Sequence, residues 1–258
     1  MRKSVFLSVI IWCLCITAAR AETVLITGSN RGLGLEFARQ YALRGWTVIA
    51  TTRNPEEAST LQALAAQHPG IRVERLDVVD VQGVKTLAAK YADTAIDVLI
   101  NNAGVLGALP DQTLGTFDHE TFQTVMSVNV FGPLIVSEAF RAHVARSTHK
   151  TIVGITSGSG IISGRVGGGS YFYKSSKIGL NMAFRALADD LGADGIIVSL
   201  IAPGAVDTDM RREAVGVARA ARDLRAPDSV GGMIRVIDGL TRAGSGRVYN
   251  YDGRVLPW

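Results

Sequence analysis

Cysteine is almost missing from this 258-residue chain. There are two, Cys13 and Cys15, and both lie close to the start. The rest of the chain has none, which excludes disulfides, a thiolate nucleophile and cysteine-based metal sites there. Histidine is scarce as well. His143 and His149 have no ligand partners at metal spacing, so they read as surface residues and no metal is indicated. Strong charge of one sign is also lacking. The formal net charge is +4, and Arg2, Lys3 and Arg20 supply three of those charges, leaving +1 beyond them. That balance gives no reason to expect nucleic-acid binding. Internal repeats, linkers and a second domain are not visible, and 47% hydrophobic residues over this length suit one α/β domain with a well-buried core.

One apolar run stands apart, Val5 to Ala18, preceded by Arg2 and Lys3 and followed by Ala19-Arg20-Ala21. A basic start, a short apolar stretch and an A-x-A site read as a secretory signal over 1–21, cleaved after Ala21 to leave a domain over 22–258. The run is shorter than the ~20 residues a membrane span needs. Two other readings stay open: an uncleaved anchor, or a start codon assigned too early, since Thr23 opens the first strand directly. The first reading makes the protein exported, periplasmic or extracellular. The others leave it membrane-anchored or cytoplasmic.

From Thr23 onward short apolar runs alternate with helical patterns, which predicts a doubly wound parallel sheet with helices on both faces, a Rossmann-like single domain. The expected strands are 23–27, 46–51, 71–76, 96–100, 151–156, 196–201 and 247–250. The expected helices include one over 133–146 and one over 173–191. In the helix after the first strand, Leu35, Ala38, Ala42 and Leu43 are expected to face inward. The first strand runs into Gly28-Ser29-Asn30-Arg31-Gly32-Leu33-Gly34 and then that helix. Strand, glycine turn and helix make a phosphate site, because the backbone can approach a pyrophosphate and the helix N-terminus offers free N–H groups. The bland alternative is a tight turn without a ligand.

A chain that reads the 2′-hydroxyl of NAD carries Asp or Glu after the second strand. Here Thr52 and Arg53 stand instead. No carboxylate would repel a 2′-phosphate and a guanidinium is available to bind one, with Arg31 as a second ligand, so NADP is favoured over NAD. Solvated surface arginines are the alternative. Further on, Tyr173 and Lys177 lie four residues apart on one helix face. An ammonium beside a phenol favours the phenolate, so Lys177 is expected to lower the tyrosine pKa from about 10 and fit it for proton transfer. Tyr171 has Ser175 at the same spacing and no such partner. Arg211, Arg212, Arg219, Arg222 and Arg225 crowd the stretch from Asp209 to Ala226, which fits either an acidic substrate or, preferably, a solvated helix face.

The spacing T-G-x-x-x-G-x-G, the run Asn101-Asn102-Ala103-Gly104, the Tyr173/Lys177 pair and Pro203-Gly204 together resemble the short-chain dehydrogenase/reductase family. The resemblance runs from Thr23 to the C-terminus. Its Y-D-G…L-P-W ending is similar to the branch that includes the C-factor and the sniffer-type carbonyl reductases. The resemblance implies an enzyme with catalytic residues Asn129, Ser157, Tyr173 and Lys177, Ser159 being a second choice for the serine. It implies cofactor contacts from the glycine loop (Gly28, Asn30, Arg31, Gly32, Leu33, Gly34) and from Arg53, Asp77, Val78, Asn101, Ala103 and Gly104. Tyr173, Lys177, Pro203, Gly204, Val206 and Thr208 complete that set. The implied reaction moves a hydride between NADP(H) and a carbonyl or secondary alcohol. Ser157 would bind the substrate oxygen, Tyr173 would protonate it, Lys177 would bind the nicotinamide ribose, and Asn129 would connect Lys177 to solvent through water. A structural alternative for Asn129 is a polar side chain bonding backbone in a bent helix. Residues from Asp209 to Ala226 would form a lid over a small-molecule substrate. A homodimer or homotetramer built on the two long helices is implied by analogy. The competing class is an exported dinucleotide-binding signalling protein with little turnover, and the intact Ser157, Tyr173 and Lys177 set argues for the enzyme.

Overall fold

The computed structural model describes residues 21–163 and 167–258. All of the expected leader except Ala21 lies outside the described residues. Eight strands form one sheet: β1 (Thr23–Ile26), β2 (Thr47–Thr52), β3 (Ile71–Arg75), β4 (Val98–Asn101), β5 (Thr151–Ile155), β6 (Ile197–Ala202), β7 (Val248–Asn250) and β8 (Val255–Leu256). Their spatial order is β3-β2-β1-β4-β5-β6-β7-β8. All neighbours run parallel except β7 and β8, which are antiparallel. Only β8 was not expected. Two residues long, it carries too little pattern to be read from sequence.

The helices are α1 (Gly32–Leu43), α2 (Ser59–Gln67), α3 (Val81–Lys90), α4 (His119–Met126), α5 (Gly132–Ala145), α6 (Tyr171–Leu191), α7 (Asp209–Val215), α8 (Val217–Ala220) and α9 (Ala226–Asp238). They cover both faces of the sheet, because successive strand side chains point to opposite sides. Leu25, Ile49, Leu99, Ile152 and Leu200 face Val84, Phe140, Leu180 and Phe184 of α3, α5 and α6. Val24, Ile26, Val48, Ile100 and Ile201 face Phe37, Tyr41, Val230 and Met233 of α1 and α9. A fully buried side chain of this size contributes about 1.5–3 kcal/mol, so the two layers hold the sheet firmly from both sides.

Local details depart from the sequence expectation in a few places. In α1 the buried stripe is Gly34, Phe37, Ala38 and Tyr41, whereas Leu43 is 61% exposed. The two aromatics take the inward face, at i, i+3 and i+4 spacing, and leave Leu43 on the opposite side. His143 is buried, not on the surface: its Nε2 lies 3.0 Å from the Ala88 carbonyl oxygen and its ring sits on Phe140. Burial pushes its pKa down, favouring the neutral ring. Asp80 caps α3, accepting from the Gln82 and Gly83 N–H groups.

The sheet changes direction of winding at β1. The chain moves outward from β1 to β2 and β3, then crosses back to β4 on the other side of β1. Loops leaving β1 and β4 therefore diverge at their C-terminal ends and open a crevice there, the usual ligand position in open α/β sheets. Among the described residues no helix is long and apolar enough to cross a membrane.

Candidate active site

The crevice is a cleft of about 640 Å³ over the C-terminal ends of the central strands. Its floor on one side is the turn from β1 into α1. Gly28 has φ of 70° and Gly32 of 57°, both in the left-handed region where a side chain is strained. Gly34 is required for a different reason. A Cβ there would fall on the Gly28 carbonyl oxygen and 2.5 Å from Asn102 Nδ2. Asn102 Nδ2 donates to the carbonyls of Thr27 and Gly28, and Thr27 Oγ1 accepts from the N–H groups of Asn102 and Ala103. The loops after β1 and β4 are thus stitched together by two side chains. The result is a backbone cradle at a helix N-terminus, with no side chain filling it, which fits a pyrophosphate.

Every residue of the glycine loop named above lines the cleft: Gly28, Asn30, Arg31, Gly32, Leu33 and Gly34. So do Arg53, Asp77, Val78, Ala103 and Gly104, and, from the far side, Pro203, Gly204, Val206 and Thr208. Asn101 is the exception. Its side chain is buried beneath the strand end and donates to Ser137 Oγ at 3.1 Å, so it braces β4 against α5. Alternation along the strand turns Asn101 inward and leaves Asn102 to line the cleft.

Arg53 stands exposed on the rim and has no ion pair among the described residues. Glu57 shares that rim and accepts a hydrogen bond from Asn54 at 3.0 Å. Arg31 sits 3.6 Å from Asp209, the first residue of α7. The arginines between Asp209 and Ala226 are mostly paired: Arg211 with Asp223, Arg212 with Asp207 and Asp209, and Arg225 with Asp228. Such pairing argues against a general attraction for acidic substrates and for the solvated-face reading.

The candidate reacting groups come from the junction of β5 and α6. Gly154 in β5 lets α6 approach, since a Cβ there would lie 2.8 Å from the Phe184 ring. Asn181 of α6 then binds the loop after β5 twice, accepting from Thr156 Oγ1 at 2.6 Å and donating to the Gly160 carbonyl at 2.9 Å. Between those anchors sits Ser157. Its Oγ accepts from the Ser159 N–H at 3.1 Å, which leaves its own proton to donate. Ser159 also lines the cleft.

Tyr173 and Lys177 share a helix face as their spacing predicts, and both line the cleft with Ser157. Lys177 Nζ lies 5.6 Å from the Tyr173 ring centroid and donates to the Ile155 carbonyl at 3.0 Å. The direction of the tyrosine shift is the reverse of the sequence expectation. Burial raises the phenol pKa, and the hydrogen bond from Ser157 opposes burial without overcoming it. Lys177 bears the complementary cost: burial lowers its pKa to about 8. Withdrawal from water, invisible in a four-residue spacing, sets the direction of both shifts.

Asn129 is set apart from the cleft wall. It lies in one wide helical turn, Ser127–Phe131, between α4 and α5. Its Oδ1 accepts from the Val105 N–H, and its Nδ2 donates to the Val105 carbonyl and to Ser176 Oγ. The backbone-bonding alternative describes these contacts. No side-chain group in the described residues is arranged to hold a metal.

Residues 22–216 match the family described as short chain dehydrogenase. The chain belongs to this family. C-signal from Myxococcus xanthus is 38% identical over 175 residues, covering 68% of this chain and all of that protein. The NADPH-bound carbonyl reductase from chicken fatty liver superposes with a TM-score of 0.83 at 30% identity, over 93% of this chain and all of that one. The carbonyl reductase Sniffer of D. melanogaster gives 0.81 at 29% identity with the same coverage. As a short-chain dehydrogenase the chain is an NAD(P)-dependent oxidoreductase.

Proposed function

We propose that the protein reduces a small carbonyl compound, or oxidises the corresponding secondary alcohol, with NADP(H) as its cofactor and Tyr173 as its proton donor and acceptor. The observation that carries the reading is the convergence of Ser157, Tyr173 and Lys177 on one cleft, with the buried Lys177 Nζ 5.6 Å from the Tyr173 ring centroid, beside the glycine cradle. When bound, the nicotinamide supplies the hydride or takes it up.

The chain's own residues do the rest. Ser157 donates a hydrogen bond to the substrate oxygen as charge builds there. Tyr173, a phenol protonated at neutral pH and held so more firmly by burial, gives its proton to the same oxygen. A phenol held neutral until an alkoxide forms beside it is a general acid suited to the reducing direction. Lys177 places a positive charge against the ring and stabilises the phenolate left behind. Leu106, Met210, Ala214 and Val215 line the cleft and can shield these groups from water.

NADP is preferred over NAD because the rim after β2 presents Arg53 and no Asp or Glu at the position that reads a ribose hydroxyl. The chicken carbonyl reductase, whose structure holds NADPH, supports that preference. Export through the leader is part of the proposal, and sequencing the native N-terminus after cell fractionation tests it. C-signal is a relative over two-thirds of the chain, but a signalling role without turnover would have no use for a buried lysine beside the phenol.

The test is Tyr173→Phe assayed by NADPH absorbance against a panel of carbonyls. Turnover is expected to vanish while NADPH binding, followed by fluorescence, stays within about twofold. Full turnover in that variant would end the mechanism.

A further inference from the structure

We propose that Gln112 is a positioning residue for Tyr173, fixing the phenol by binding the backbone that carries it. The inference rests on the proposed role of Tyr173 as the proton donor. The start of α6 presents a problem that Gln112 solves. First-turn N–H groups have no partner within their own helix, and a residue before the helix normally offers a side-chain oxygen. Ser170, which precedes α6, has φ of 49° and makes no side-chain cap. In its place, Gln112 Oε1 accepts from the Tyr173 N–H at 3.1 Å, from 61 residues away in the chain.

Gln112 is fully buried, and its other end is equally committed. Its Nε2 donates to the Leu106 carbonyl at 2.9 Å and the Gly107 carbonyl at 3.1 Å. The amide therefore spans the gap between the cleft wall at Leu106 and the catalytic helix. Its chemistry is prescribed at both ends: an N–H on one side needs an acceptor, and carbonyls on the other need a donor. Glutamate would set an oxygen against those carbonyls. Gly107 is part of the same arrangement. It has φ of 76°, and a Cβ there would lie 2.6 Å from Val125 and 3.2 Å from Gln112 Nε2.

The carbonyl side of Tyr173 is held as well. It accepts from Ser176 Oγ at 2.7 Å, and Ser176 in turn accepts from Asn129, which grips Val105. Both peptide groups of Tyr173 thus trace back to the same wall segment, 105–107. Gln112 makes the direct connection to the Tyr173 amide.

The experiment compares Gln112→Met with the wild type in the full chain, using NADPH and a carbonyl that the wild type reduces. It records kcat, KM, NADPH Kd and the hydrogen-exchange rate of the Tyr173 amide. The expected result is a kcat lowered about tenfold or more, as for a slightly misplaced catalytic group, with NADPH Kd within about twofold. Exchange at Tyr173 should quicken about fivefold or more. Thr121→Val is the control, since it removes a bond to Asp111, the neighbour of Gln112, and Thr121 makes no hydrogen bond to α6 among the described residues. Its kcat should equal the wild type's. A folded Gln112→Met enzyme with full kcat overturns the inference, and so does a Thr121→Val enzyme slowed as much. If Gln112→Met does not fold, Gln112→Asn, too short to span the gap, is read by the same outcomes. A wild type that reduces no carbonyl overturns the Tyr173 reading, while exchange at the Tyr173 amide still decides whether Gln112 holds it.

Discussion

Lys177 is a charge kept where water does not reach, and its replacement by methionine makes the cost measurable. Burial moves its pKa from 10.5 to about 8, a difference of about 3 kcal/mol. The sign follows from proton counts. Folded Lys177 gives up its proton near pH 8, whereas the unfolded chain holds it until about 10.5. Between those values the unfolded state binds more protons, so stability should rise with pH through that window. The slope is about 1.4 kcal/mol per pH unit, or about 2 kcal/mol from pH 8 to 9.5. Lys177→Met keeps the volume and has nothing to titrate. Urea unfolding of both proteins from pH 7 to 9.5 gives the difference curve directly. The range stops short of pH 10 because Tyr173, with its raised pKa, holds its proton longer when folded and contributes with the opposite sign above that point. Wild-type stability relative to the variant should climb by about 2 kcal/mol over this range. A difference flat to about 0.5 kcal/mol would refute the claim that Lys177 carries a desolvated charge. The same group predicts that wild-type kcat declines as pH rises through about 8, where the ammonium is lost.

Two further outcomes bear on the cofactor site. Arg53→Asp should move the ratio of kcat/KM values for NADPH and NADH toward NADH by about tenfold or more, and an unmoved ratio removes Arg53 as the phosphate reader. Gly34→Ala should weaken NADPH binding about tenfold or more and cost about 1–3 kcal/mol of stability, because the added methyl meets the Gly28 carbonyl and Asn102. Fluorescence titration and urea unfolding measure the two effects, and unchanged affinity would mean the cradle is not the pyrophosphate site.

Much of this architecture was legible because the signals are local or periodic. Apolar runs bounded by turns marked seven of the eight strands, and a strand–glycine–helix sequence marked the cradle. Tyr173 and Lys177 share a helix face by spacing alone. What stayed hidden depends on contacts distant in the chain. Asn102 and Asn101 look interchangeable until the strand end orients them. His143 reads as polar until α5 turns it under Ala88. Gln112 and Asn181 carry no motif, and only their bonds to α6 and to the β5 loop give them a role.

The amino-acid order alone determined which groups were available: glycines that admit backbone, an arginine where a carboxylate often stands, a phenol one turn before an amine. Tertiary structure decided their environment. Packing the sheet and α6 about the cleft buried Lys177 and partly buried Tyr173, and that desolvation, a property of everything packed about them, lowered one pKa and raised the other.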